Sequence, residues 1–172
     1  PARFTGSSIA PVAHIDGKLT PDGIAPFLHW RGSQHHPQPG LASIAQATEM
    51  GTLYTTDEIG AICETAHTGG MLVHLDGARI ANAVAATGDD LVTMVRDTGV
   101  DVMTFGVSKN GAMYGEAVVF LRPELAANAM FVRKQAGQLA SKNRFIAAQI
   151  LALLEGDRWI EQGRHANDMA QR

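Results

Sequence analysis

The chain has a single cysteine, Cys63, in 172 residues. No disulfide framework can therefore staple it, which fits a reducing cytosol. It has no apolar run long enough to cross a bilayer, and Pro1-Ala2-Arg3-Phe4-Thr5 does not have the pattern of a secretory signal. The expectation is a soluble, cytoplasmic protein with no membrane partner. Excess charge is missing too: the formal net charge is -3, which leaves no basic footprint for nucleic acid, and Arg133-Lys134 is the only adjacent basic pair. There is no internal repeat, low-complexity segment or flexible linker, so the length suits one domain. His35-His36 lacks Cys or acidic partners at ligand spacing, so no metal site is read. The glycines between Gly106 and Gly115 lack GxGxxG spacing, which excludes a dinucleotide fingerprint.

What is present is an alternation of apolar runs and helical patterns. Residues 41 to 47, 71 to 75, 100 to 105 and 117 to 121 read as strands. Thr20-Pro21 predicts a capped short helix through Ile24, Phe27 and Leu28. Thr55 or Thr56 caps a second helix, whose apolar face is Ile59, Ile62, Cys63 and Ala66 and which ends at Gly69-Gly70. This places Cys63 as a buried structural thiol. Residues 79 to 86 read as helical, Asp89 caps a helix that stops at Gly99, and 122 to 155 is helical with a break near Gly137. A last helix runs from Gly156-Asp157 through Trp159 and Ile160. The connection between the last two strands is too short for a parallel crossover, so that pair should be antiparallel. The expected fold is α/β in three layers (α/β/α), a mostly parallel sheet with one antiparallel strand and helices on both faces.

Two of these strands end on chemistry. Met71-Leu72-Val73-His74-Leu75-Asp76-Gly77-Ala78-Arg79 carries an acid at its end, and thirty-three positions after Asp76 comes Lys109, in Phe105-Gly106-Val107-Ser108-Lys109-Asn110-Gly111. In a parallel α/β sheet ligands sit outside the carboxyl ends of strands, so an acid and an amine placed this way can converge on one molecule. Pyridoxal phosphate needs that pair: a lysine to form an imine with its aldehyde, and a carboxylate to keep its pyridine nitrogen protonated. On spacing alone, ordinary turns account for the two segments equally well, with Asp76 as a helix cap and Lys109 as a surface turn residue. A lysine attacks only as the neutral amine, so it needs a desolvated site or a neighbouring cation, and Met103, Phe105 and Val107 offer an apolar approach. His74, two residues before Asp76, lies on the same strand face, either hydrogen-bonding that carboxylate or acting as a satisfied core histidine.

Four segments occur in order: Gln46-Ala47-Thr48-Glu49-Met50-Gly51-Thr52-Leu53-Tyr54, His74-Leu75-Asp76-Gly77-Ala78-Arg79, Ser108-Lys109-Asn110-Gly111 and Arg133-Lys134-Gln135-Ala136-Gly137-Gln138-Leu139. In that order the chain resembles the low-specificity threonine aldolases, pyridoxal-phosphate enzymes of the aspartate-aminotransferase-like, fold-type-I group. The resemblance runs from about residue 10 to the end of the chain. It implies a catalytic pair, Lys109 and Asp76, with pyridoxal 5'-phosphate as cofactor. Arg79 would sit near the cofactor's phenolic oxygen, Ser108 would donate to its phosphate, and Thr48 would lie within reach of the ligand. Many family members carry Glu-Asn-Thr-His where this chain has Gln46-Ala47-Thr48-Glu49, which puts substrate contact from that loop in doubt.

The implied reaction is cleavage of threonine or a related β-hydroxy-α-amino acid to glycine and an aldehyde. The alternatives are another, β-eliminating pyridoxal-phosphate lyase and an inactive scaffold. The resemblance further implies that residues 1–172 are part of the large, cofactor-binding domain, as a central fragment. The family's N-terminal segment and C-terminal small domain are then absent, and the fragment alone would be inactive. A homodimer or homotetramer is implied, because the apolar stripe of residues 122 to 155 exceeds what one sheet face needs.

Overall fold

The computed structural model describes residues 2–172. Its centre is a four-stranded sheet in the order β1 (Leu41–Ala45), β2 (Leu72–Gly77), β3 (Val102–Gly106) and β4 (Glu116–Phe120). The pairs β1/β2 and β2/β3 are parallel, and β3/β4 is antiparallel, as the short connection between them requires. In register, Ala45 lies beside Asp76 and Asp76 beside Thr104, so the ends of β1, β2 and β3 share one edge of the sheet.

The helices in chain order are α1 (Ala2–Thr5), α2 (Pro21–Leu28), α3 (Thr56–Thr68), α4 (Ile80–Thr87), α5 (Ala129–Gln135), α6 (Asn143–Leu154) and α7 (Arg158–Ala170). Local chemistry sets several of their ends. The Thr20 hydroxyl accepts from the Gly23 amide, with Pro21 opening α2. At α3, Thr55 Oγ1 accepts from the Glu58 amide at 3.1 Å while Glu58 Oε2 accepts from the Thr55 amide at 2.8 Å, a reciprocal box. Gly88, at φ +75°, stops α4 in the left-handed region that only glycine enters at low cost.

Two stretches differ from the sequence expectation. The helix expected from Asp89 is a five-residue π-helical segment, Val92–Arg96. The stretch 122 to 155, expected to be helical with a break near Gly137, does break there, at φ +73°, between α5 and α6, but it opens with a 3-10 turn (Pro123–Ala126) instead of an α-helix. Among the described residues no helix is long and apolar enough to cross a membrane.

One face of the sheet carries the core. Ala42, Ile44, Val73, Leu75, Met103 and Phe105 point together against Ile59, Ile62, Cys63 and Ala66 of α3 and against Ile80, Ala83 and Val84 of α4. Burying each large aliphatic side chain contributes on the order of 1.5–3 kcal/mol. Helix α7 lies on α4, with Gly163 against the Ala81 carbonyl so closely that a Cβ would stand 2.5 Å from it. The opposite face presents Ser43, His74, Asp76, Thr104, Glu116 and Val118, each exposed or half-buried. The fold is α/β, as expected, and the polar half of the strand alternation lies on the face opposite the core.

At the far edge of the sheet from the strand ends discussed below, Asp101 is 1% exposed. Its Oδ2 accepts from the Val73 amide at 2.7 Å and pairs with His67 Nε2 at 2.9 Å, while Oδ1 meets Arg122 Nη1 at 3.3 Å. Burial pushes this carboxyl up, but the hydrogen bonds from His67, Val73 and Arg122 outweigh it and hold the group below the usual carboxylate range. Cys63 is buried, as its spacing predicts, and that burial, with the Asp101 charge second, pushes its thiol up to about 11. An un-ionised thiol of this kind is no nucleophile.

Candidate active site

The carboxyl ends of β1, β2 and β3 hold most of the residues singled out by sequence. Asp76 is the penultimate residue of β2, and Lys109 lies three residues beyond the end of β3, the adjacent parallel strand. The two exits are packed closely enough to exclude side chains between them. A Cβ on Gly77 would stand 2.5 Å from the Thr104 carbonyl oxygen, and one on Gly106 would stand 2.7 Å from Ala78 Cα. Both glycines are thus needed for the strand ends to meet.

Asp76 is half-buried, and its Oδ1 accepts from the Ala78 amide at 2.9 Å, which closes the turn into α4. No donor among the described residues reaches its second oxygen. Asp76 opens onto a depression of about 310 Å³, where it is joined by His14, Ser43, Ala45 and Glu49. Arg79 stands at the cap of α4 and donates from Nη1 to Glu49 Oε1 at 3.2 Å, tying the loop after β1 to the loop after β2.

His74 makes its hydrogen bond with Ser43, Oγ to Nδ1 at 2.9 Å across β1 and β2, not with Asp76. Desolvation by burial lowers its pKa, against the raising effect of the Asp76 and Glu116 charges. His74 is therefore a cross-strand partner of Ser43 on the open face of the sheet.

Lys109 is exposed, at the mouth of a second depression of about 470 Å³ that it shares with Asn110, Gly111, Glu161, Gln162, His165 and Ala166. Asp76 and Lys109 thus share a sheet edge but open onto different depressions. The apolar approach expected from Met103, Phe105 and Val107 lies elsewhere: strand alternation sends Met103 and Phe105 into the core, and Val107 is buried beneath the turn. Ser108 is exposed, and its hydroxyl accepts from the Gly115 amide at 3.2 Å, holding the two ends of the lysine loop together.

Thr48 is 2% exposed, and its hydroxyl is used within its own turn. Thr48 Oγ1 accepts from the Met50 and Thr52 amides, both at 3.2 Å, and lies 2.7 Å from Thr52 Oγ1. It shapes the loop after β1 and does not present a side chain at its surface.

Two residues of this edge carry more than their sequence context signalled. Gln46 is fully buried: Oε1 accepts from the Tyr54 amide at 3.0 Å, and Nε2 donates to the Tyr54 carbonyl at 2.9 Å. Its own amide donates to the Asp76 carbonyl at 2.9 Å and extends the β1/β2 ladder to the acid. Asn110, next to the lysine, is buried and donates from Nδ2 to the Trp159 carbonyl of α7 at 2.9 Å. Asn-Gly after a lysine reads as a turn, and nothing in that pattern marks the asparagine as buried.

Residues 1–172 match the beta-eliminating lyase family. Among curated proteins, the chain is 42% identical over 166 residues to a low specificity L-threonine aldolase of Pseudomonas sp. (strain NCIMB 10558), covering 96% of this chain and 48% of that protein. It is 41% identical over 172 residues to the low specificity L-threonine aldolase of Pseudomonas aeruginosa, covering 99% and 50%. The chain spans about half the length of these curated relatives. Among solved structures, a threonine aldolase of Leishmania major superposes with a TM-score of 0.91 at 34% identity, covering 98% of this chain and 49% of that one. A pyridoxal-phosphate-bound C-S lyase of Staphylococcus hominis superposes with a TM-score of 0.54 at 15% identity over 92% of this chain and 39% of that one, a likeness of fold alone.

Proposed function

The chain belongs to the beta-eliminating lyase family, and from that membership we propose that it forms the cofactor-binding part of a pyridoxal-phosphate-dependent aldehyde-lyase. Its substrate is threonine or a related β-hydroxy-α-amino acid, cleaved to glycine and an aldehyde. The observation that carries this reading is the placement of Asp76 and Lys109 at the same edge of adjacent parallel strands, β2 and β3. The named activity of two relatives at 42% and 41% identity supports the choice of substrate.

The donor set fits the cofactor: a carboxylate and a guanidinium at the exit of β2 and a primary amine past the exit of the adjacent β3, beside glycines that admit no Cβ. Pyridoxal phosphate supplies an aldehyde for an amine and a ring that accepts the electron pair left by the broken carbon–carbon bond. Lys109 would be the amine that holds it. Asp76 would hold the proton on the pyridine nitrogen, because the charge-assisted hydrogen bond to a carboxylate favours the protonated ring. Arg79 offers a fixed fork of donors to the phenolic oxygen and is aimed by Glu49. Ser108 only accepts from the Gly115 amide, so its O–H would remain free to donate to the phosphate.

The protein acts as a homodimer or homotetramer in which a second copy covers apolar side chains left open on α5 and α6. Met130, Phe131, Val132, Phe145 and Leu151 are all exposed there, and apolar side chains grouped on one surface are what a subunit contact covers. Absorbance and product analysis test the activity together. Purified holoenzyme should show a cofactor band that borohydride shifts, and threonine should yield an aldehyde. Release of ammonia without aldehyde would instead select an eliminating lyase, and absence of the band would remove the cofactor assignment.

A further inference from the structure

The turn that carries Lys109 is built unlike an ordinary surface turn. Its lysine is exposed while the next residue, Asn110, is 7% exposed. The Asn110 amide donates to the Val107 carbonyl at 3.0 Å, and the Ala112 amide donates to the same oxygen at 3.1 Å, which closes the loop on itself. Its side chain then leaves the loop and donates from Nδ2 to the backbone carbonyl of Trp159 at 2.9 Å. The Trp159 side chain is itself fixed, packing edge-on against Phe105 of β3 with ring centroids 5.5 Å apart. The strand that leads into the turn and the helix that receives it are thereby locked to each other, and Asn110 is the side chain that joins the turn to that lock.

We propose that Asn110 is a positioning residue for Lys109, setting where the amine stands relative to the Asp76 strand end by anchoring the turn to α7. This inference rests on the assignment of Lys109 as the cofactor lysine. A lysine has four rotatable side-chain bonds, and a loose backbone beneath it spreads the amine over a larger volume. A misplacement of about 1 Å at a reacting atom lowers a rate by as much as about a hundredfold. A buried amide donor suits the task, because a neutral side chain can meet a backbone carbonyl without adding a charge beside the amine. Gly111 completes the arrangement: at φ +96° it lies against Gln162 of α7, where any Cβ would overlap the Gln162 amide.

The test compares Asn110→Ala and the near-isosteric Asn110→Asp with His67→Ala, in holoenzyme and in enzyme stripped of cofactor. His67 pairs with Asp101 at the opposite edge of the sheet, so its loss reports on stability alone. Three readouts are taken: melting temperature, the rate at which added pyridoxal phosphate becomes borohydride-trappable on Lys109, and hydrogen exchange of amides 109 to 112. Both Asn110 variants should trap cofactor at least about tenfold more slowly and exchange these amides faster, with kcat falling more than KM rises. His67→Ala should lower the melting temperature and leave trapping unchanged. If the Asn110 variants fold and trap cofactor at the parental rate, or if His67→Ala slows trapping as much as they do, the positioning role is overturned. Failure of the parent enzyme to trap cofactor on Lys109 would instead overturn the lysine assignment, and this inference with it.

Discussion

Replacing Asp101, just before β3, by alanine removes the side-chain acceptor of the Val73 amide of β2, and the structure sets the scale of the effect. The Val73 amide, inside the parallel ladder, loses its partner at a place that is 1% exposed, so water cannot replace it. A buried amide left unpaired costs about 1–3 kcal/mol. The His67 and Arg122 side chains are 37% and 48% exposed, so losing the His67 contact adds at most about 1 kcal/mol, and the solvent-screened Arg122 contact adds little. Relief of the carboxylate's own burial offsets part of this, and the net loss expected is about 3 kcal/mol. In a domain of this size that lowers the melting temperature by about 6–12 °C. Asp101→Asn keeps an acceptor for Val73 and should lose only about 1 kcal/mol.

The pH dependence fixes the sign independently. The folded-state pKa of Asp101 is depressed, so its stabilisation is fully present above the unfolded carboxylate value of about 4 and is lost as pH falls through the folded value. Melting curves of parent and Asn variant from pH 7 downward should therefore converge below about pH 4. An alanine variant that melts within a degree or two of the parent, or a gap that widens on acidification, would refute the argument.

Lys109→Ala should abolish borohydride trapping of pyridoxal phosphate, because no other lysine stands just past a strand end at this edge; peptide mapping that still finds cofactor attached would sink the assignment. Asp76→Asn should retain cofactor yet lose at least about a hundredfold in turnover, the scale on which removal of one electrostatic stabiliser acts. Near-parental rates would reduce Asp76 to the Ala78 turn hydrogen bond already seen. Sedimentation of the 172-residue chain at micromolar concentration should show association, driven by the exposed apolar side chains of α5 and α6. A compact monomer that binds no hydrophobic dye would exclude that role for the surface.

Elements set by nearby residues were readable before any coordinates. Thr20 announced the start of α2, and Thr55 or Thr56 that of α3; the spacing of Ile59, Ile62, Cys63 and Ala66 gave the buried face of α3, and a short connection made β4 antiparallel to β3. These are determined over a few residues, within reach of one hydrogen bond or one helical turn. Asp76 and Lys109 were legible for a related reason: each ends an apolar run at a glycine, and strand parity with the carboxyl-edge rule brings such positions to one rim.

What only the tertiary structure decided depends on partners distant in sequence. Which polar residues near the site were already committed could not be read: Thr48 to its own turn, His74 to Ser43, Gln46 to Tyr54 and Asn110 to a carbonyl 49 residues away. The same holds for the open face of the sheet, since alternation shows that one side of each strand is polar but not what lies opposite it. Residues 122 to 155 had helical periodicity with a break expected near Gly137, where the structure has it, yet burial falls on Leu153 while Met130 and Phe131 stay exposed. Periodicity measures whether a face exists; which stretch of it is covered is decided by the packing of α6 on α7 and of α7 on α4.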